Sequence, residues 1–148
     1  MAAVSRVFSR NRSKPGRSQD DYNVVFVTPR TILVVEDERP VRDLLVAVLT
    51  RFGFSIRACG TAEEAVELER EQAVDVLVTD VMLPSMSGPE LARTIRARSP
   101  RTRVLFMSGY AGALLKAEDM TGAEFLQKPF DAKTVRQKIQ GLLDREDA

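Results

Sequence analysis

From Thr31 onward the chain repeats one pattern, and that pattern restricts its fold more than any other feature: a short apolar run, then a longer stretch with apolar residues at helical spacing. "TILVV" (31–35) carries no polar interruption, as a strand covered on both faces requires. Pro40 then suits the first turn of a helix, and Val41, Leu44, Leu45, Val48, Leu49 and Phe52 follow at i, i+3, i+4, i+7, i+8 and i+11, a single helical stripe ended by Gly53. "FSIRA" (54–58) reads as a second strand, and "TAEEAVELEREQ" opens a second helix with Thr61 and Glu64 at capping-box spacing. "DVLVT" (75–79) is a third strand, followed by a loop with Pro84, Gly88 and Pro89 and a helix through "ELARTIRAR". "RVLFM" (103–107) is the fourth strand, a weaker helical stretch covers roughly 111–120, "EFLQ" is a short fifth strand, and Asp131 caps a last helix with Val135, Ile139, Leu142 and Leu143 inward. Five such units predict an α/β fold with a five-stranded, doubly wound parallel sheet and helices on both faces. In these sheets ligands sit outside the carboxyl ends of the strands.

The length of 148 residues suits one domain plus a tail. Residues 1–30 hold six basic and two acidic residues, whereas 31–148 hold 16 and 19, so the neutral total hides a basic tail and a mildly acidic domain at 31–145. A nucleic-acid face is not expected from such a domain. "MAAVSRVFSRNRSKPGRSQDD" has no periodic apolar face and reads as disordered; its Ser- and Arg-rich composition also fits a transit peptide, and a plain solvated tail is the expectation. "YNVVFVT" is equally an added strand or a linker. The single cysteine, Cys59, precludes an intrachain disulfide and reads as a small buried hydrophobe in a reducing, cytoplasmic setting. No apolar run approaches the ~20 residues of a membrane span. The absence of histidine excludes Ser-His-Asp and Cys-His catalysis and His-bearing zinc sites, and leaves hard cations on oxygen ligands as the metal chemistry open to the chain.

The polar residues fall in register. Glu36 and Asp37 follow the first strand of the series, Asp80 the third, Ser108 the fourth and Lys128 the fifth, all at one edge of the expected sheet. Crowded carboxylates repel one another unless a divalent cation neutralises them, and an oxygen-only donor set suits hydrated Mg²⁺. Lys128 and Ser108 offer a point charge and a hydroxyl for the oxygens of a phosphoryl group, with Asp80 exposed as a nucleophile. Taken singly, Glu36 and Asp37 are equally ordinary helix-capping acids, Ser108 an ordinary loop hydroxyl and Lys128 a solvated lysine. Their common edge favours a site. Met82, Met86 and Met107 read as packing residues, and the arginines of "RTIRARSPRTR" as a solvated face rather than an anion patch.

"ILVVEDE", "VTDVMLPSMSGPEL", "RVLFMSGYA" and "EFLQKPF", in that order and spacing, resemble the receiver domain of two-component response regulators over residues 31 to about 145. The resemblance implies a flavodoxin-like strand order 2-1-3-4-5. It implies Asp80 as phosphoacceptor, and Mg²⁺ held by Asp37, by Glu36 through water, by Asp80 and by the backbone carbonyl of Met82. Ser108 and Lys128 would bind the phosphoryl oxygens, with a cis Lys128–Pro129 bond aiming the lysine into the site. Phosphorylation would draw Ser108 toward Asp80 and let the ring of Phe125 rotate from an exposed position. This would alter the surface of the fourth helix, fifth strand and last helix, which would also serve a dimer. Family members often carry tyrosine where Phe125 stands, the interval from Ser108 to Lys128 is short, and "AGALLKAEDMTGA" is poorly marked as a helix. "FMSGYA" with "FLQKPF" leans toward receivers attached to hybrid histidine kinases and some stand-alone receivers.

The implied function is a single-domain response regulator that takes a phosphoryl group from the phosphohistidine of a histidine kinase or histidine phosphotransferase, then contacts a downstream protein or relays the group, without binding DNA. It is a phosphoacceptor rather than an enzyme. A phosphohydrolase of the haloacid dehalogenase type would need a second Asp two positions after the first, where this chain has Met82. The other alternative is a scaffold that keeps the shape without using phosphorylation.

Overall fold

The computed structural model of the protein describes residues 5–10, 22–110 and 115–145. Its strands are β1 (Ser5–Arg10), β2 (Tyr22–Val27), β3 (Thr31–Val35), β4 (Ser55–Cys59), β5 (Val76–Asp80), β6 (Arg103–Ser108) and β7 (Ala123–Gln127). Its helices are α1 (Arg39–Arg51), α2 (Ala62–Glu71), α3 (Gly88–Arg98) and α4 (Ala132–Asp144), with one 3-10 turn at Ala117–Met120. The main sheet has the order β4-β3-β5-β6-β7 with every pairing parallel, which is 2-1-3-4-5 for its five strands. The doubly wound sheet expected from the repeating pattern is therefore present. Among the described residues no helix is long and apolar enough to cross a membrane.

The two-residue period of a strand sends alternate side chains to opposite faces, and each face has its own apolar layer. Ile32, Val34, Val76, Val78, Leu105 and Met107 pack with Leu45 and Leu49 of α1 and Val135, Ile139 and Leu142 of α4. Leu33, Val35, Leu77, Val104 and Phe106 pack with Ala62 and Ala65 of α2 and Leu91, Ala92 and Ile95 of α3. Every residue of β3 is buried, as its uninterrupted apolar sequence requires. The helix ends follow their local chemistry: Thr61 Oγ1 accepts from the Glu64 amide at 3.2 Å, Ser87 Oγ from the Glu90 amide at 3.2 Å, and Asp131 Oδ1 from the Thr134 amide at 2.8 Å. Gly53 takes φ +90 beyond α1, where a residue with a β-carbon would be strained.

Several expectations change. Leu44 is 53% exposed, because Leu45 and Leu49 form the line of α1 that faces the sheet and Leu44 falls outside it. In place of a helix over 111–120, the described part holds only the 3-10 turn; residues 111–114 lie outside the described residues. Asp119 Oδ2 accepts from the Lys116 amide at 3.0 Å, a local bond that favours a tight turn over a continuing helix. Residues 5–10, expected to be disordered, instead pair antiparallel with 22–27, from Ser5 opposite Val27 to Arg10 opposite Tyr22. The physical reason is the β-branched and aromatic composition of "YNVVFV", which favours strand pairing. The remainder of the expected tail, 1–4 and 11–21, lies outside the described residues.

Cys59 is buried, its thiol against the Thr61 carbonyl at 3.5 Å, and burial foremost pushes its pKa from 9.0 up to about 11. At mildly alkaline pH this leaves roughly 100-fold less thiolate than in the unfolded chain. Alkylation by iodoacetamide should accelerate by at least that factor when urea unfolds the protein; equal rates in the two states would show that Cys59 is not held in the core.

Candidate functional site

The strand registers place the polar residues at one edge. Val35 lies opposite Thr79, Asp80 opposite Met107, and Ser108 opposite Gln127, so the carboxyl ends of β3, β5, β6 and β7 are level. Glu36 leaves β3 fully buried, while Asp37 is exposed and Asp80 intermediate. Asp80 is itself the last residue of β5, and Ser108 the last of β6, each one step further into the sheet than the apolar runs suggest. One carboxylate oxygen from each of Glu36, Asp37 and Asp80 lies within 4.8 Å of the others.

Lys128 ties two of these acids together. Its Nζ donates to Glu36 Oε2 and to Asp80 Oδ2, both at 2.7 Å, and the Lys128–Pro129 bond is cis. Burial pushes the Glu36 carboxyl above its ordinary range, with the Asp80 charge adding to the rise; the Lys128 ammonium and the Glu38 amide, 3.1 Å from Oε1, pull it partly back. For Lys128, burial disfavours the ammonium, but hydrogen bonds and charge from Asp80 and Glu36 more than offset this and move its pKa upward. The lysine is accordingly a fixed cation at neutral pH.

Three acids face one lysine here, so among the described residues one acid is left without a cation. Oxygen donors alone, in a chain without histidine, fit a hard divalent ion that replaces part of its hydration with carboxylates. Asp80 Oδ1 also accepts from the Met82 amide at 3.3 Å, which orients the carboxylate at the mouth of the site. Ser108 is at the same edge but turned aside: its Oγ accepts from the Tyr110 amide at 3.0 Å, its hydroxyl proton has no acceptor among the described residues, and its carbonyl accepts from the Lys128 amide at 2.9 Å. Met82 is 61% exposed, contrary to its reading as a packing residue, because the chain turns outward after β5; Met86 and Met107 do pack in the apolar layers. Phe125 is not exposed but partly buried against the layer shared with α2 and α3, since its place in β7 sends its ring to that face.

Two contributors have only faint sequence signals. A β-carbon on Gly88 would lie 2.2 Å from the Asp80 carbonyl oxygen, so the turn that brings α3 back against the end of β5 accepts glycine alone; the neighbouring Gly88 amide donates to the Val81 carbonyl at 2.8 Å. Arg42 Nη1 donates to the Glu36 carbonyl at 2.9 Å and braces the acidic turn from α1, although in the sequence Arg42 is an unremarkable helical charge.

The family model described as the response regulator receiver domain matches residues 32–140. The chain is 35% identical over 121 residues to the sensor kinase CckA of Brucella abortus, an alignment covering 79% of this chain and 13% of that protein. It is 29% identical over 116 residues to the response regulator receiver protein CpdR of the same species, covering 77% and 97%. A solved response regulator receiver protein from Sinorhizobium medicae superposes with a TM-score of 0.73 at 28% identity, covering 80% of this chain and 97% of that one. The chain thus spans a small part of the kinase and nearly all of CpdR.

The Lys128 contacts generate a test that does not depend on function. Lys128→Met leaves the buried Glu36 carboxylate without its cation and should cost about 3 kcal/mol in urea unfolding near neutral pH. A carboxyl held above its ordinary 4.5 favours the folded state in its protonated form, so the penalty grows as pH rises and fades below that value. The deficit relative to the unaltered chain should therefore shrink toward about pH 4; a deficit that stays constant from neutral pH downward would show that Glu36 is not the group left uncompensated.

Proposed function

This chain belongs to the response regulator receiver domain family, and from that membership we propose that it is a signalling receiver whose phosphoacceptor is Asp80. The observation that carries this reading is the meeting of Glu36 and Asp80 on one ammonium, Lys128 Nζ, at 2.7 Å each, with Asp37 beside them. Asp80 is the partly exposed acid at the end of β5, and its oxygen attacks phosphorus as the bond to a partner's histidine nitrogen breaks and that nitrogen retains the electron pair. Lys128 then follows the charge from the Asp80 carboxylate to the phosphoryl oxygens while keeping its bond to Glu36. The Ser108 hydroxyl donates to another phosphoryl oxygen.

Mg²⁺ is the hard cation that suits Glu36, Asp37, Asp80 and the backbone carbonyl of Met82, and when bound it offsets the negative charge of the phosphoryl group. The partner is a histidine kinase or histidine phosphotransferase in the cytoplasm, since this chain has no histidine of its own. Output runs to a downstream protein or a further relay step through the 3-10 turn, β7 and α4, as Ser108 moves and Phe125 repacks; the same surface serves self-association. Residues 31–145 act as the receiver unit, in keeping with the match of the family model to residues 32–140.

Intact-mass measurement after incubation with acetyl phosphate and Mg²⁺ tests the central step. The expected result is a gain of one phosphoryl group that Asp80→Asn abolishes and that a chelator prevents. No gain in the unaltered chain, or a gain that persists in Asp80→Asn, would overturn the assignment; unchanged signalling in cells carrying Asp80→Asn would instead favour a scaffold that does not use phosphorylation.

A further inference from the structure

The arginines of "RTIRARSPRTR" do not all form a solvated face. Arg93 pairs with Asp119 at 2.8 Å, and Arg98 and Arg101 are exposed. Arg96 instead donates from Nε to the Thr102 carbonyl at 3.0 Å and from Nη1 and Nη2 to the Thr121 and Gly122 carbonyls at 2.7 Å each, bracing the main chain before β7 with Arg103 crowded beside it. Arg42 serves the acidic turn in the same manner. Its Nη1 donates to the Glu36 carbonyl at 2.9 Å, and among the described residues no carboxylate lies within 4.0 Å of its guanidinium. A surface ion pair therefore does not account for where this side chain points.

What the bond controls follows from the peptide on which it lands. The Glu36 carbonyl and the Asp37 amide belong to one planar unit, so a donor that fixes the carbonyl also fixes the plane from which Asp37 leaves the strand. Asp37 needs that help. Its carboxylate is exposed and makes no hydrogen bond or ion pair among the described residues, yet one of its oxygens lies within 4.8 Å of oxygens of Glu36 and Asp80. The Glu36 and Asp80 carboxylates, by contrast, are each held by Lys128 and by a main-chain amide, that of Glu38 and that of Met82. Asp37 is kept in the cluster by the course of its backbone, and Arg42 is the side chain that fixes this peptide.

Gly60, the residue after β4, leaves the guanidinium its place. A β-carbon there would lie 2.8 Å from Arg42 Nη1 and 3.9 Å from the Glu36 carbonyl oxygen. Gly60 has no positive φ, so its backbone would accept another residue, and the close guanidinium is what excludes a side chain. We propose that Arg42, seated against Gly60, is a positioning residue that aims the Asp37 carboxylate at the divalent cation. This rests on the reading of Glu36, Asp37 and Asp80 as a Mg²⁺ site, and adds to it a residue that touches neither the ion nor the phosphoryl group. Two effects of the guanidinium oppose each other. Its charge disfavours a nearby cation, whereas its bond to the Glu36 carbonyl orders in advance a ligand that would otherwise be immobilised on binding. Water and salt screen the charge of this half-buried side chain but not the orientation it imposes, so orientation prevails.

The test is a Mg²⁺ titration of the full-length, ¹⁵N-labelled protein at constant ionic strength, with no phosphodonor, followed on the native amide signals of Asp37 and Asp80 so that unfolding does not enter the affinity. Arg42→Gln should weaken Mg²⁺ binding about tenfold although it removes a positive charge. Gly60→Ala keeps that charge but displaces the guanidinium, and should weaken binding to a similar extent. In the double variant the second change should add less than about twofold, since both break one contact. The Asp37 amide should shift in each single variant before Mg²⁺ is added. The proposal is overturned if Arg42→Gln binds Mg²⁺ equally or more tightly, if Gly60→Ala leaves the affinity unchanged, or if the two losses multiply in the double variant. Mg²⁺ binding by the unaltered chain with unaffected variants overturns the role of Arg42 alone. No Mg²⁺ binding at Asp37 and Asp80 in the unaltered chain overturns the metal site and this role with it.

Discussion

The ammonium of Lys128, held between Glu36 and Asp80, is the interaction on which the site depends. Glu36 is fully buried at the end of a fully buried strand, a position where an uncompensated carboxylate would be strongly destabilising. Its cation comes from 92 residues away, and Asp80 joins it from 48 residues before Lys128. The contact forms only when β3, β5 and β7 are all in register. Folding of the sheet and assembly of the site are thus one event, and a slip of any of these strands would separate charges that need each other.

Within that cluster the acids are graded by exposure, and the gradation divides their tasks. Glu36 lies beneath the surface and holds Lys128 in place; Asp37 is open to solvent; Asp80 is intermediate, with one oxygen on Lys128 and the other on the Met82 amide. Membership of the receiver family explains why the parallel sheet concentrates charge at one end of its strands. Gly88 makes the arrangement compact, because α3 returns so close to the Asp80 carbonyl that no β-carbon fits between them.

β6 and β7 connect two poles. At their carboxyl ends Ser108 and Lys128 border the acidic cluster, and at their amino ends Arg103 and Gly122 border the inward-facing arginines. One pole has more negative than positive charge, and at the other, among the described residues, the Arg96 and Arg103 guanidiniums have no carboxylate within 4.0 Å, so the same pair of strands carries different electrostatic demands at its two ends. The partly buried ring of Phe125 lies between them on β7.

Much of this was legible in the amino-acid order, because strand and helix periodicities are local. Five apolar runs, the caps at Thr61 and Asp131, the stop at Gly53 and the common edge of Glu36, Asp37, Asp80, Ser108 and Lys128 all follow from spacing alone. Tertiary structure decided what depends on distance through space. It turned Ser108 toward Tyr110, exposed Met82 and Leu44, tucked Phe125 against an apolar layer, and reduced the described part of the stretch before β7 to a single turn. It also paired 5–10 with 22–27 and brought Arg96 to Arg103. A side chain's face can be read from its neighbours in sequence, but its partner depends on which other strand or helix arrives beside it, and only the packed chain determines that.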